Sequence, residues 1–416
     1  MSRAAHMTIA IVLVLATATL GAKQGKSRKP QNKQNGATSQ PADADQNGSS
    51  TRASTGQISL PEHHALVPSY DGKSMILLTG KTIKILDPHT LAVSKTTDLS
   101  RKYQAIAERD AYYVALSAAT LDLLDKQTLA VTRSIPLRTS ETYGLAIHPT
   151  QRVAFVTLFD DSGGTLKKGN AQRIAIVNET TGEVQKPANC PGHWIVIAPD
   201  GKRLFSSTKE IYEDGVQLAP GGDLMPKYGD IDRLYSYEIS GTSLRSDKVN
   251  KQPGANGGPL RIAPDSASVS YISAAGVPTY AYNIPAFDPA DVTQVLVSYS
   301  FKGHGFPGDI AYHPVLPLVA ACSDQVVRLF DRATGDVVTD KVQIGKMKDP
   351  HHVHFSPDGR CLLIESGSDE HRVLRSYDLN LNDTEKKQID AAEQTRKPSP
   401  SVPAVDINGR GARQST

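Results

Sequence analysis

The sequence predicts an all-β chain: seven four-stranded antiparallel sheets set radially as a seven-bladed β-propeller, the ring closed by an N-terminal strand. Three observations carry this. A unit of strand, polar marker, turn and strand returns seven times between Gln57 and Asp383. Turn signals recur about every 8–12 residues, the spacing of short antiparallel strands. No amphipathic helical pattern interrupts that stretch.

The clearest pair of repeats is KTIKILDPHTLAV (Lys81–Val93) and ATLDLLDKQTLAV (Ala119–Val131). The unit returns as RIAIVNETTGEV, RLYSYEISGTSL, TYAYNIPAFDP, VVRLFDRATGDV and VLRSYDLNLND. Its closing markers read as Asp87, Asp125, Asn178, Glu238, Asn283, Asp331 and Asp378. Each unit follows a second piece, two apolar runs joined by a tight turn, as in IVIAPDGKRLFSS and VHFSPDGRCLLIES. Pro-Asp-Gly suits that turn because Pro fixes φ and Gly accepts positive φ. A lone four-stranded sheet cannot cover both its faces, whereas seven stacked around an axis cover one another. Gln57–Pro61 resembles the fourth strands RSIPL and KVQIG and is expected to be the outer strand of the last blade.

Outside this stretch the composition changes. Thr8 to Leu20 is an uncharged apolar run after Arg3 and His6, followed by small residues. Its length suits a secretory leader over residues 1–22 and is short for a membrane span. The cluster Lys23, Lys26, Arg28, Lys29 and Lys33 behind it pulls the other way, toward retention by an uncleaved anchor. Export to a periplasmic or extracellular space is the expectation, with no membrane span in the mature chain. Residues 23–56 lack large apolar side chains and read as a flexible linker, and residues 384–416 as a similar tail. A short helix from Glu385 to Lys397 is allowed there, with nothing in the sequence to hold it down.

Charge excludes some functions. Of 46 basic and 43 acidic residues, seven bases and two acids fall in the first 55 positions, so the remainder is nearly neutral. A folded body of that kind has no electrostatic footprint for nucleic acid. Cys190, Cys322 and Cys361 are too few and too scattered for a disulfide framework, and the latter two fall in apolar runs that read as buried thiols. There is no Gly-x-Ser-x-Gly elbow, His-Glu-x-x-His motif, phosphate loop or Cys-x-x-Cys-His haem motif. Catalysis is therefore not expected, and no cofactor.

From Gln57 to Asp383 these repeats resemble the WD-repeat and YVTN-repeat propeller superfamily. ACSDQVVRLFDRATGDVV in blade six and FSPDGRCLLIESGSDEHRVLRSYD in blade seven carry the likeness best. The Trp of the namesake pair is replaced by Leu86, Leu124, Val177, Tyr237, Tyr282, Phe330 and Tyr377, which marks a divergent, bacterial-type member. The resemblance implies a fold and is nearly silent on function.

In such a ring the fourth-to-first and second-to-third strand connections share one face, here termed the upper face. Two long insertions fall on it: residues 159–172, with Asp160 and Asp161, and residues 207–232, with Glu210, Glu213, Asp214, Asp230 and Asp232. Long connections inside a compact repeat are more often functional than not. Alignment on the Pro-Asp-Gly turn places His64, Tyr143, His193 and His351 at one position near the channel mouth, with His63, Trp194, His304 and His352 beside them. The leading expectation is a monomeric module that binds a protein or small ligand through this face. The alternative is a metal-assisted, lactonase-like hydrolase, in which the imidazoles hold a divalent metal and activate water. Against it, each His can instead fill a structural slot within its own blade.

Overall fold

The computed structural model describes residues 54–396 apart from 62–63, 140, 160–171, 188–189, 219–223, 252–254, 276–281, 303, 343, 345–346 and 369–370. The expected leader, most of the linker, the end of the tail, His63, Asp160 and Asp161 lie outside the described residues. Seven four-stranded antiparallel sheets form the domain, as the repeats predict. Blades one to six take their strands in chain order: β2–β5, β6–β9, β10–β13, β14–β17, β18–β21 and β22–β25. Their innermost strands are β2 (Ala65–Pro68), β6 (Ala105–Glu108), β10 (Thr142–Ile147), β14 (Trp194–Ile197), β18 (Ala255–Ile262) and β22 (Pro307–Tyr312).

Blade seven is built from both ends of the domain. Its inner strands are β26 (Pro350–Phe355), β27 (Cys361–Ser366) and β28 (Arg372–Asp378), and its outer strand is β1 (Gly56–Leu60). β1 runs antiparallel to β28 with Gly56 opposite Ser376 and Leu60 opposite Arg372. The expected closure is thus observed.

Among the described residues the core divides into seven apolar clusters, one between each pair of neighbouring blades. The cluster between blades seven and one, around Leu60, Met75, Leu77, Leu86, Leu363 and Leu374, has the fewest buried members. Alternating side chains along each strand feed the two interfaces that flank a blade, which is why the central strands read as continuous apolar runs.

The marker residues act as turn caps. Oδ1 of Asp87, Asp125, Asn178 and Asp331 accepts from backbone N–H groups two and three residues ahead. In each of these turns the fourth residue after the marker is left-handed: Gly182 and Gly335, but Leu91 and Leu129 in blades one and two. Both leucines are buried, so packing offsets the unfavourable backbone. Blade five departs from the expected register. Its third strand is β20 (Asn283–Phe287), so the marker is Asp288 in place of Asn283, and Phe287 in place of Tyr282 fills the buried aromatic slot. Oδ1 of Asp288 caps the N–H of Ala290 in the same manner.

On the lower face, His-Pro turns tie blades together. His313 Nδ1 accepts from the N–H groups of Val315 and Leu316, and Nε2 donates to the carbonyl of Gly359 in the next blade, 2.7 Å. Gly359 has φ +78°, and a Cβ there would lie 2.5 Å from the His313 ring, so only glycine fits. Burial pushes His313 down to about 4, keeping it neutral as the pairing requires.

Two further expectations are revised. Residues 207–232 are not an irregular loop: β15 (Arg203–Leu218) and β16 (Leu224–Ser240) continue outward as one long hairpin. The tail also begins ordered, as helix α1 (Asp383–Thr395). Asn382 and Glu385 form a reciprocal capping box, Lys341 pairs with Glu385 at 2.9 Å, Arg360 pairs with Asp390, and Ile389 is fully buried against the blade six and seven cluster. The single apolar anchor Ile389, spaced among charged residues, left too weak a pattern to show that the helix docks.

Deleting Gly56–Leu60 should lower the unfolding midpoint of the whole domain in a single transition followed by circular dichroism, because the edge of β28 and the seventh cluster are exposed together. An unchanged melt would refute closure by β1. Ile389→Ala should cost about 2–4 kcal/mol in urea unfolding, the usual range for a buried aliphatic truncated to alanine. A loss under about 1 kcal/mol, no more than an exposed site gives, would mean that α1 does not contribute to the core.

Candidate functional site

All seven channel-mouth candidates stand at the entry to an inner strand on the upper face. His64 immediately precedes β2, Tyr143 is second in β10, Trp194 opens β14 after His193, His304 shortly precedes β22, and His351 and His352 are second and third in β26. Strand entry fixes their shared height in the ring. Their side chains nonetheless form two different groups.

In blades three and four the group is aromatic. The Tyr143 and His193 rings lie 4.6 Å apart, and His193 meets Trp194 edge-on at 5.0 Å. The Tyr143 hydroxyl donates to Glu141 at 2.8 Å. Trp194 is half-buried and packs on the cluster between blades four and five. The only tryptophan therefore serves packing at least in part.

In blades five, six, seven and one the group is ionic. Asp309 of β22 is fully buried, with Arg261 of β18 at 2.8 Å and His352 Nδ1 at 3.3 Å. Burial alone would raise the Asp309 carboxyl, but Arg261, His352 and His354 outweigh it and hold it well below the usual carboxylate range. Glu365 of β27 accepts from His64 Nε2 at 2.9 Å and from Arg372 at 3.1 Å. Burial again opposes, and His352, His64 and Arg372 bring Glu365 down to about 2. Both ring nitrogens of His64 face oxygen atoms, Nδ1 the Pro61 carbonyl at 2.9 Å and Nε2 the Glu365 carboxylate. His354 is pushed down to about 4 by burial, against the pull of Asp309. His351 turns to the Gly367 carbonyl of its own blade, 2.6 Å.

The imidazoles of His64, His351 and His352 are thus engaged by two carboxylates and two carbonyls. A metal at the mouth would have to displace those bonds, so the arrangement ties blades together more readily than it activates water. His304 is placed by its backbone, whose carbonyl accepts from the Ser323 hydroxyl. The acidic positions of the blade-four insertion sit on the hairpin by register: Glu210 opposite Ile231, Ile211 opposite Asp230, Lys209 opposite Asp232, and Glu213 opposite Tyr228 before a bulge that takes in Asp214.

The upper face carries a further feature that sequence reasoning missed. Tyr282, in the second-to-third connection of blade five, stacks on Phe306, in the connection entering blade six, with centroids 5.4 Å apart and planes at 15°. They are 43% and 45% exposed, so the pair is turned to solvent and not into a cluster. The available signal was the pair Phe287-Asp288, which matches Phe330-Asp331 and Tyr377-Asp378 and would have released Tyr282 from the core slot.

Fold and face together define a seven-bladed β-propeller. No protein family matches the sequence, and no curated protein matches it. Among solved structures, 1072 chains match, so the fold is too widespread to specify a function. One of them is the β-propeller domain of Cps50 (Swd1) from Myceliophteria thermophila, with a TM-score of 0.54 and 14% identity over 78% of this chain and 99% of that one. At that identity the likeness is one of fold alone. Among the described residues no helix is long and apolar enough to cross a membrane.

The buried ionic group makes stability depend on pH. His354 takes its proton only near pH 4 when folded, against 6.5 unfolded, and Glu365 near 2 against 4.5. In both windows the unfolded chain binds more protons, so stability falls as pH falls, from 6.5 to 4 through His354 and from 4.5 to 2 through Glu365. Thermal midpoints should therefore decline steadily from pH 7 to acid, and Glu365→Gln should flatten the slope below pH 4.5. An unaltered slope in that variant would contradict the assignment.

Proposed function

We propose that this protein is an exported binding module that docks a protein partner on the upper face of its propeller, between the blade-four hairpin and the Tyr282–Phe306 pair. The exposed aromatic stack carries the reading. A soluble domain rarely leaves two large rings side by side in water, and stacked, rigid aromatics are the side chains that most often anchor protein interfaces. The hairpin β15–β16 extends the same face outward, and its sequence is acidic, which favours a partner whose contacting segment is basic around an apolar anchor. The apolar run before Lys23 supports export, as a leader of cleavable length.

The test begins with a photo-crosslinking residue at position 282 and, as control, at Asp110 on the opposite face, in the native host. A specific protein is expected to crosslink from position 282 only. Phe306→Ala and Tyr282→Ala should each weaken that partner by about 10- to 30-fold, an anchor-sized loss. Both should leave the thermal midpoint within the small range typical of surface positions. Equal crosslinking from both faces, or undiminished affinity in both variants, would exclude the site.

A further inference from the structure

On the lower face, at the seam between blades seven and one, three potential metal ligands converge outside the mouth. Nδ1 of His89 lies 2.9 Å from Sγ of Cys361, and Sγ lies 3.1 Å from Oδ1 of Asp378. The three ligand atoms all fall within 4.8 Å of one another. Cys361 and Asp378 are cross-strand partners at the first residue of β27 and the last of β28, so they project from the same side of the sheet. His89 arrives from blade one, in the turn between β4 (Thr82–Leu86) and β5 (Val93–Asp98).

Two observations set this cluster apart from ordinary packing. The first is Asp378. It occupies the marker position that caps a turn in other blades, but blade seven has no such turn because β1 supplies its outer strand; its carboxylate accepts from the Cys361 thiol instead. The second is Asp358, in the turn between β26 and β27, which holds Nε2 of His89 at 2.8 Å. A carboxylate on the far nitrogen is the usual partner of a metal-binding imidazole, fixing its tautomer and aim.

We propose that His89, Cys361 and Asp378 form a site for a zinc-type divalent cation that fastens blade one to blade seven. One imidazole nitrogen, one sulfur and one carboxylate oxygen match the donor preference of zinc, with a fourth position left for water on the side where His89 reaches solvent. The present separations are those of hydrogen bonds; tetrahedral ligation at the usual bond lengths requires the ligands to spread by roughly half an ångström. On binding, the S–H bond breaks, its proton passes to solvent and the thiolate bonds the ion. Asp358, His89 and Cys361 in that order also match a thiol nucleophile and its base. The Cys361 sulfur is fully buried, however, and burial followed by the Asp378 contact pushes its thiol up, the reverse of what an attacking thiolate needs. The seam is also where the apolar cluster is smallest, so an added tie has most to contribute there.

The test uses the full chain, stripped with chelator and titrated with zinc chloride. One equivalent should be retained after desalting, and cobalt in its place should give a thiolate-to-metal charge-transfer band. Cys361→Ser should abolish the band and weaken zinc by about 100-fold or more, Asp358→Asn by about 10- to 100-fold, and His64→Ala should leave the stoichiometry unchanged. Zinc binding to the unsubstituted protein should also release about one proton, read with a pH indicator in weak buffer, so the outcome does not depend on the variants folding. Failure to retain zinc, a cobalt complex without the thiolate band, or binding lost in His64→Ala but kept in Cys361→Ser would each overturn the site.

Discussion

Everything in this domain depends on the antiparallel pairing of β1 with β28. Each blade interface encloses its own apolar cluster, and six of the seven can be assembled by neighbours in sequence. The seventh requires Leu60 to return across the whole length of the domain to meet Leu363 and Leu374. A ring left open would expose two blade faces and two strand edges together, a far larger loss than any single contact. Closure therefore converts seven marginal sheets into one cooperative body.

Around that constraint the polar residues divide by face. Below, His-Pro turns and glycine carbonyls link successive blades, and the buried pair Arg109–Glu179 does the same between blades two and three. Above, Asp309 and Glu365 gather charges from four blades into a group whose members satisfy one another. Such a group is costly to bury and costlier to break, which explains why histidines around an axis need not imply catalysis. Tyr282 and Phe306, by contrast, are turned to solvent on the same face.

The fold was legible because the repeats state it several times. Asp87, Asp125 and Asp331 each close a strand and open a turn, and QISLP declares itself the missing outer strand by likeness to its counterparts. Blade five reads out of register because TYAYN imitates the strand that begins at Asn283, although the pair Phe287-Asp288, matching Phe330-Asp331, carries the correct register. The site was less legible. The seven candidates all stand at entries to inner strands, but whether an imidazole faces a ligand or a carboxylate depends on the neighbouring blade. Glu365 and Asp309, remote from His64 and His352 in the chain or on another strand, carry no local motif that announces the pairing. The stacking of Tyr282 on Phe306 has no local motif for the same reason: it joins two connections in different blades.

The shared seventh blade has a consequence for chain order. Because Gly56 pairs with Ser376, the two ends of the ring already lie side by side in one sheet. A short tether joining them, with new ends opened at the exposed residues 100–102 between β5 and β6, would leave every sheet with the same partners. Circularly permuted versions should consequently be foldable, and the numbering of blades reflects chain order more than any hierarchy among them.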